Sequence, residues 1–332
     1  MQAIQVTHYN RQHWVALNDV PEPTVGPTDV LIEVQAAGVN LTDVRFATGV
    51  MAPILPTKPP FTLGSEVAGT VLKVGAAVTT FSVGQAVYAR LPHTQMGAFA
   101  ERVAVAANCL APIPAGLTFE QAAAVPSAAL AAYQALTEEL SLKAGDQLFL
   151  PRGAGGFGLF VIPFAHKLGI RVTTSASPRH TAVLTALGAE RVLDYHTTDF
   201  ATELHDFDAV IDTQGRDAIP NELKILRHHG TLVSLAALPD WKFARQQGYS
   251  LPRQLIFGAA GLGFTLQARH QHKQYRFMLV HADGPQLCHI SDWLADLHLT
   301  PTVAATYSLE QTQAALDQVA TRQTAGEVVI TR

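Results

Sequence analysis

The sequence predicts an α/β protein in which a small β-barrel domain is interrupted by a doubly wound parallel sheet. Closely spaced short strands, separated by glycine and proline, fill the N-terminal part and are typical of a small barrel. Beyond residue 114, strands alternate with helices, which is the pattern of right-handed βαβ units in a parallel sheet. A glycine-rich turn follows the first apolar strand of this alternating region.

The N-terminal strands are recognised by their alternation of residues on two faces. Val30, Ile32 and Val34 share one face of a strand that follows a turn-forming stretch at 21–27. Further strands are predicted at Val67–Val74, Ala86–Ala89 and Ala98–Val105. The C-terminal tail adds a helix with Leu287, Ile290, Leu294 and Leu297 on one face, a helix behind the capping box Ser308–Gln311, and a strand at Gly326–Ile330.

The middle of the chain predicts helices that two prolines disturb. The Ala-rich stretch Thr118–Leu136 is helical in character, and Pro126 should interrupt or kink it. The apolar strand Leu148–Leu150 leads through the glycines to a helix at Gly156–Lys167, which Pro163 should kink. The same patterning predicts a helix at Ala182–Leu187 and buried strands at Arg171–Ser175, Val192–Leu193, Ala209–Ile211 and Thr231–Leu235.

The composition argues against several classes of function. Only 15% of the residues are charged, the formal net charge is -4, and the sequence has no polybasic run or acidic tail. This balance predicts neither a nucleic acid nor a membrane as partner. Cys109 and Cys288 are too few for a disulfide framework or a zinc site built mainly from thiolates. The first residues lack a signal-peptide pattern, so we expect a cytoplasmic location.

The most informative motif is Gly153-Ala154-Gly155-Gly156-Phe157-Gly158, which has the spacing G-x-G-x-x-G. Glycine at these places permits a tight turn, lets the backbone approach a pyrophosphate and allows a helix to pack closely on a strand. The N-terminus of the following helix offers N–H groups and a partial positive charge to phosphates. A purely structural turn is the alternative. Because a strand precedes the motif and a helix follows it, we predict a dinucleotide-binding Rossmann domain.

The residues after the second strand of this domain predict which dinucleotide binds. An NAD site usually has Asp or Glu there, which accepts a hydrogen bond from the ribose 2′-hydroxyl. Residues 173–180 contain no carboxylate, and Ser177, Arg179 and His180 are donors suited to a 2′-phosphate. Arg179 and His180 could also simply begin an exposed helix. The missing acid makes NADPH the predicted cofactor.

Motifs in a fixed order along nearly the whole chain make it resemble the medium-chain dehydrogenase/reductase superfamily. The motifs are Asp29–Asp43, Leu63–Gly69, Gly97–Glu101, the glycine loop, Leu187–Glu190 with Asp194-Tyr195, and Asp208–Asp212. Each is common by itself, whereas their order is specific. The sequence looks most like the zinc-free quinone oxidoreductase branch.

The resemblance implies a GroES-like substrate domain, formed by residues 1–121 and 285–332, and a Rossmann domain at 122–284. Zinc alcohol dehydrogenases of the superfamily have Cys where Asn40 stands and His where Ser65 stands. The four-cysteine lobe that holds a structural zinc has no counterpart before Gly97. Because Asn and Ser are unusual zinc ligands, we expect no metal site.

The same resemblance implies roles for residues around the cofactor. Asn40 and Asp43 are expected near the nicotinamide, and Tyr195 near the cofactor. Without a metal, the protein would hold a quinone or an α,β-unsaturated carbonyl against the nicotinamide for hydride transfer. We expect a cleft between the domains lined by Asn40, Arg45, Phe46 and Met51, with Arg45 stabilising negative charge on a carbonyl oxygen. Alternatively, Arg45 points to solvent, Phe46 belongs to the core and Asn40 satisfies backbone groups in a turn.

Departures from the family pattern keep other functions open. Arg45, Phe46 and Met51 stand where quinone reductases commonly have tyrosines, and Glu327 stands where the family usually has lysine. One alternative is a metal-free NADP-dependent alcohol dehydrogenase or carbonyl reductase, and another is a nucleotide-binding sensor or structural protein without turnover. The resemblance also implies a homodimer formed through the strands near Tyr275–Val280.

Overall fold

The structure is a computed structural model, and it describes residues 1–9, 15–55, 57–321 and 326–332. The chain divides into two compact units, Met1–Leu130 with His281–Arg332, and Ala131–Val280. The sequence places these boundaries at 121/122 and 284/285 instead. The first structural boundary, at 130/131, lies inside the helix Pro126–Gln134, so the change in composition, which marks the start of the helical region, does not locate it.

The secondary structure of the described residues is as follows. The strands are β1 Gln2–Val6, β2 Ala16–Asp19, β3 Asp29–Val39, β4 Phe61–Thr62, β5 Glu66–Val74, β6 Ala86–Arg90, β7 Arg102–Ala106, β8 Leu110–Pro112, β9 Gln147–Leu150, β10 Arg171–Ala176, β11 Ala189–Asp194, β12 Phe207–Asp212, β13 Leu226–Ser234, β14 Gln274–Phe277, β15 Val303–Ser308 and β16 Glu327–Thr331. The helices are α1 Leu41–Ala47, α2 Phe119–Ala123, α3 Pro126–Gln134, α4 Gly158–Lys167, α5 Thr181–Ala186, α6 Phe200–Glu203, α7 Ile219–Ile225, α8 Trp241–Gln246, α9 Leu251–His270, α10 Gly284–Asp296 and α11 Thr312–Ala320. None of these helices is long and apolar enough to cross a membrane.

The first unit is built on β3, an eleven-residue strand that pairs antiparallel with β5, β7 and β16. Its main sheet has the order β15-β16-β3-β5-β6-β8, and a smaller sheet has the order β2-β1-β4. Val30, Ile32 and Val34 are buried, so the alternation predicted from the sequence is confirmed. Because β3 ends at Val39, in register with Val328 of β16, the next residue, Asn40, leaves the sheet from a firmly paired position.

The two prolines act differently. Pro126 divides the predicted helix as expected, because α2 ends at Ala123 and α3 begins with Pro126 itself. At the first helical position the missing N–H of proline has no partner to lose. Pro163 does not interrupt α4, which runs from Gly158 to Lys167 with the proline inside.

The strand predicted at Ala98–Val105 is shorter than its pattern indicates. The regular strand begins only at Arg102. Phe99 is bonded elsewhere, since its N–H donates to the Leu63 carbonyl oxygen and its carbonyl accepts from Ile4. Backbone pairing with two other segments thus replaces strand pairing over these residues.

The second unit is a parallel sheet with the order β11-β10-β9-β12-β13-β14. Numbered within the unit, this is the 3-2-1-4-5-6 order of the doubly wound Rossmann fold. The strand order reverses between β9 and β12, which are neighbours in the sheet. Ligands of this fold bind at the carboxyl ends of the strands beside such a reversal. The glycine loop follows β9 and therefore lies at that place.

The helix α9 is not singled out by the sequence pattern, although it has 20 residues. Its buried residues, Phe257, Gly261 and Ala268, lie on one side. Leucines of the same helix are exposed on the other side. Because apolar residues surround the helix, the sequence shows no single apolar stripe with a helical period.

Candidate functional site

The glycine loop is fastened to the neighbouring strand β10. Arg152 opens the loop in the left-handed conformation, with φ of 60°, and its N–H donates to Ser175 Oγ at 3.1 Å. The Gly153 N–H donates to the Ser175 carbonyl oxygen, also at 3.1 Å. Both bonds end on the same residue of β10, so the sheet holds the loop in a fixed shape.

The glycines of this loop differ in what a side chain would meet. A Cβ on Gly153 would lie 2.1 Å from Thr174 Oγ1, and one on Gly158 would lie 2.3 Å from the Gly153 carbonyl oxygen. Close packing of the loop against β10 and α4 therefore requires glycine at both positions. A Cβ on the exposed Gly155 would have the Arg152 carbonyl oxygen, at 3.5 Å, as its nearest neighbour. The protein's own packing therefore does not require glycine at position 155, and the open space beside it would let a ligand approach the backbone closely.

Gly156 and Phe157 complete the loop and lead directly into α4. Both are half-buried, and the Phe157 carbonyl oxygen accepts from the N–H groups of Phe160 and Val161. The first turn of the ten-residue helix α4 therefore faces the loop. A helix start with free N–H groups and an open glycine beside it fits the pyrophosphate of a dinucleotide.

A second group of polar side chains lies beyond the paired ends of β10 and β11. Ala176 and Asp194 are in register, so the next residues, Ser177 and Tyr195, leave the sheet side by side. Tyr195 is 57% exposed, and its ring centroid lies 4.2 Å from that of His196. The Asp194 carboxylate accepts from the His196 N–H at 3.0 Å, so one of its oxygens already has a donor.

Arg179 and His180 stand close to these residues in the turn after β10. Ser177 precedes a 3-10 turn that covers Pro178–His180. Arg179 is exposed, and its Nε donates to His180 Nε2 at 3.0 Å. The structure thus brings Ser177, Arg179, His180 and Tyr195 to one edge of the sheet, next to the strand that carries the glycine loop.

In the first unit, Asn40 precedes α1, and hydrogen bonds of its side chain fix the orientation of its amide group. Its Nδ2 donates to Glu66 Oε1 at 2.6 Å and lies 3.5 Å from Ser127 Oγ. The other oxygen of Glu66 accepts from the Ser127 N–H at 2.6 Å. Because an ionised carboxylate only accepts hydrogen bonds, the amide nitrogen of Asn40 must face Glu66. The atom of Asn40 that can accept from a ligand is therefore Oδ1, which also faces the Asp43 N–H in a capping box at the start of α1.

Three ionisable groups that interact with one another are buried around Asn40: Asp43, Glu66 and Arg90. Burial raises the pKa of Asp43 to about 7, with the Asn40 N–H, at 2.7 Å from Oδ2, opposing the rise and the charge of Glu66 adding to it. Burial also raises the pKa of Glu66 and lowers that of Arg90 to about 10. Glu66 has two close donors, so it is the better ionised partner for Arg90, and Asp43 is the acid that keeps a proton near neutral pH.

The structure corrects the predicted cleft. Phe46 is fully buried and Met51 is 5% exposed, so the prediction that they line a cleft is wrong. The short helix α1 turns Phe46 toward the core, where its ring centroid lies 5.7 Å from that of His93. Asp43 has no exposed surface, so it supports Asn40 rather than offering direct contact with a cofactor. Asn40 and Arg45 are half-buried and remain accessible.

Sequence reasoning missed Glu66, Ser127 and Arg90. Glu66 lies in a motif that carried the family resemblance, but no role was predicted for it. A signal for it existed in Gly38, where a Cβ would lie 2.2 Å from Glu66 Oε1. Arg90 had no such signal, because an arginine at the end of a strand is ordinarily exposed.

The comparisons with known proteins agree with this geometry. Residues 26–115 match the alcohol dehydrogenase GroES-like domain, and residues 187–330 match the zinc-binding dehydrogenase family. A quinone oxidoreductase of Pseudomonas aeruginosa is 32% identical over 240 residues, which are 70% of this chain and 72% of that protein. The chain belongs to the medium-chain dehydrogenase/reductase superfamily, in its quinone oxidoreductase-like branch.

Two further proteins are similar to this medium-chain dehydrogenase/reductase. A trans-enoyl reductase of Aspergillus terreus is 36% identical over 220 residues, which span 62% of this chain but only 61% of that protein. A mycobacterial protein solved in complex with NADPH is 28% identical and has a TM-score of 0.77, with 100% of both chains covered. The predicted combination of a GroES-like and a Rossmann domain is confirmed.

The family description raises the question of zinc in this medium-chain dehydrogenase/reductase. Within residues 1–9, 15–55, 57–321 and 326–332, no group of three or more His, Cys, Asp or Glu could hold a metal ion. The Asn40 amide nitrogen is engaged by Glu66, and the Ser65 side chain is buried. These residues do not fit a zinc ion, and metal-independent activity remains a prediction.

Alanine at Gly155 and at Gly153 should separate ligand contact from packing. Gly155→Ala should leave the melting temperature unchanged, since its Cβ meets nothing closer than 3.5 Å, and should weaken binding of the nicotinamide cofactor by about tenfold. Gly153→Ala should also lower the melting temperature, because its Cβ would overlap Thr174 Oγ1. Thermal unfolding and calorimetric titration measure the two effects. Equal destabilisation in both variants would make Gly155 a purely structural glycine.

Asp43→Asn should change stability in a pH-dependent way. The folded-state pKa of about 7 lies above the ordinary 3.8, so the folded protein binds this proton more tightly than the unfolded chain. The wild type therefore loses stability as pH rises from about 4 to about 7, by about 4 kcal/mol in total. The free energy of unfolding of the variant minus that of the wild type should grow over this interval and level off above pH 7. Denaturant unfolding at several pH values measures it, and a pH-independent difference would contradict the assignment.

Proposed function

We propose that this protein transfers a hydride from NADPH to a quinone or an α,β-unsaturated carbonyl compound without a metal ion. The observation that carries the proposal is the glycine loop, open at Gly155 and flanked at the end of β10 by donors without a carboxylate. The quinone oxidoreductase and trans-enoyl reductase relatives support this class of acceptor. Conjugated acceptors suit such chemistry because delocalisation spreads the charge that arrives with the hydride.

The second unit would hold the cofactor with two groups of residues. Gly153 and Gly158 shape the loop, and Gly155, Gly156 and Phe157 present its backbone and the start of α4 to the pyrophosphate. Ser177, Arg179, His180 and Tyr195 would surround the adenosine ribose and its 2′-phosphate. Among them Arg179 supplies the charged donor that a phosphate prefers. Bound there, the nicotinamide cofactor supplies the hydride.

In the first unit Asn40 is the proposed contact residue, and its neighbours act through it. Glu66 sets the direction of the Asn40 amide, and Asp43 fixes the backbone of Asn40 at the start of α1. With its nitrogen engaged, Asn40 accepts a hydrogen bond from the cofactor or the acceptor. It therefore orients a reactant and does not stabilise an anionic oxygen.

Arg45 is the proposed catalytic cation. It lies on α1, five residues after Asn40, and is half-buried, so its guanidinium can keep its charge while one side meets a ligand. Hydride addition to a conjugated carbonyl places negative charge on the carbonyl oxygen. A fixed positive charge near that oxygen stabilises the transition state more than the ground state.

We also infer a cytoplasmic homodimer. Cys109 and Cys288 are both free thiols, which suits a reducing compartment. The strand β14, Gln274–Phe277, is at the edge of the parallel sheet, so its outer side can pair with the same strand of a second copy about a two-fold axis.

The first test concerns the cofactor. The wild type should bind NADPH more tightly than NADH, and Arg179→Gln should raise the Kd for NADPH by on the order of 10–100-fold while leaving that for NADH nearly unchanged. Arg171→Gln is the matched control, because Arg171 is an exposed arginine at the opposite end of β10. Calorimetric titration of both cofactors measures these constants. Equal affinity of the wild type for NADPH and NADH would refute the preference.

The second test concerns the reaction. NADPH consumption should appear with quinones or enones and should survive a metal chelator. Arg45→Met should lower kcat/KM by about tenfold or more at an unchanged Kd for NADPH, and Arg45→Lys should recover part of the loss. Wild-type kinetics in Arg45→Met would remove Arg45 from the mechanism. Turnover only of alcohols with NADP+, or no turnover at all, would point to the two alternative functions.

A further inference from the structure

Residues 241–282 of the second unit, here called the basic segment, differ in charge from the rest of the chain. The segment contains six Lys and Arg residues and no Asp or Glu. The whole chain contains 23 Lys and Arg residues and 27 Asp and Glu residues. It therefore carries a formal charge of +6 and the remaining residues carry -10. The net charge of -4, from which no membrane partner was expected, is the sum of these two opposite charges and hides the positive segment.

The basic segment also concentrates exposed apolar side chains. Of the 13 large hydrophobic residues that are exposed among the described residues, six lie here and are 41–65% exposed: Trp241, Leu251, Leu255, Ile256, Leu262 and Leu266. At 3.6 residues per turn, the four leucines of α9 fall within about 60° of its circumference. They lie opposite Phe257, Gly261 and Ala268, which pack on the unit. We call the six exposed side chains the α9 face.

The position of Trp241 makes it part of this face. A Cβ on Gly258 would lie 2.8 Å from Trp241 Cε3, so the indole rests against α9 beside the leucines. Gly258 provides the space for this contact. An exposed apolar patch of this kind is uncommon on a protein without a partner for it.

Cations stand at both ends of the α9 face. From Gln254 to Ala268 the helix has no charged residue, and Arg253 and Arg269 flank this stretch. Arg245 and Arg269 are exposed, and neither has an ion-pair partner in the part of the chain that the structure describes. Lys242 and Arg276 share the single carboxylate of Glu139, which offsets one of their two positive charges.

We propose that the α9 face binds the surface of an anionic lipid bilayer, with its apolar side chains among the headgroups and Arg245 and Arg269 at lipid phosphates. An apolar helix face flanked by cations is the chemistry of a helix that lies in the plane of a membrane interface. The cytoplasmic leaflet has a negative surface potential that attracts such a segment. A second copy seated on the α9 face itself is the less favourable occupant, because it would bring the positively charged Arg245 and Arg269 of both copies together; the dimer proposed above uses the backbone edge of β14 instead. The proposal does not depend on the hydride-transfer reaction.

Co-sedimentation with vesicles tests this proposal. We expect the protein to bind vesicles of phosphatidylcholine mixed with phosphatidylserine at low salt, to release them at high salt, and to ignore phosphatidylcholine alone. Leu255→Gln with Leu262→Gln, and separately Arg245→Gln with Arg269→Gln, should each lower the bound fraction by about tenfold. Val83→Gln is the matched control and should bind like the wild type. Like the leucines, Val83 is exposed, at 66%, but it belongs to the first unit and not to the α9 face.

Two results would overturn the proposal. One is the absence of binding to the anionic vesicles at low salt, or wild-type binding by both double variants. The other is self-association that the leucine variant abolishes without any lipid dependence, which would assign the face to a second copy. Thermal unfolding and NADPH binding of each variant show that it is folded, and they keep this outcome separate from that of the proposed reaction.

Discussion

The buried carboxylate of Glu66 is the interaction on which the site of the first unit depends. It connects β5 with Asn40 after β3 and with Ser127 at the start of α3. A buried charge that loses a hydrogen-bond donor costs several kcal/mol, so these segments cannot drift apart without a large loss of stability. Gly38 is part of the same constraint, since any side chain there would displace the carboxylate. The hydrogen bond to Glu66 also sets the orientation of the Asn40 amide, so that Asn40 presents its oxygen, a hydrogen-bond acceptor, to a ligand.

The charges around Glu66 explain why other acids near it take up protons near neutral pH. Arg90 is the buried cation of this cluster, and the charges of Glu66 and Asp43 both favour its protonated form. Glu327, which stands where the family usually has lysine, is half-buried, and burial with the charge of Glu66 raises its pKa to about 8. With a glutamate in place of a cation, the surroundings hold more acids than positive charges. Protonation of Glu327 and of Asp43, whose pKa values burial raises to about 8 and about 7, is the least costly way to restore the balance, because Glu66 has the stronger set of donors.

The sequence predicted those parts that depend on periodic patterns and on glycine. Alternation identified β3, and the succession of strands and helices predicted the parallel sheet. The loop at 153–158 was found from its glycines, because the need for glycine arises from the shape of the loop and its immediate neighbours and not from distant residues. The orientation of Phe46 could not be predicted, since α1 is one short helix whose buried side depends on distant residues. Arg90 was missed for the same reason, as its burial depends on carboxyl groups of other segments.

If the proposed quinone reduction takes place at Asn40, the fixed amide has a consequence for the energetics of electron transfer. A quinone has only hydrogen-bond acceptors, whereas the hydroquinone that it becomes has two hydroxyl donors. A ligand held against Asn40 Oδ1 therefore gains a hydrogen bond when it is reduced. Tighter binding of the reduced form raises the midpoint potential of the bound couple relative to the couple in water, by an amount set by the difference in the two affinities. A single acceptor atom would in this way make the bound quinone the stronger oxidant.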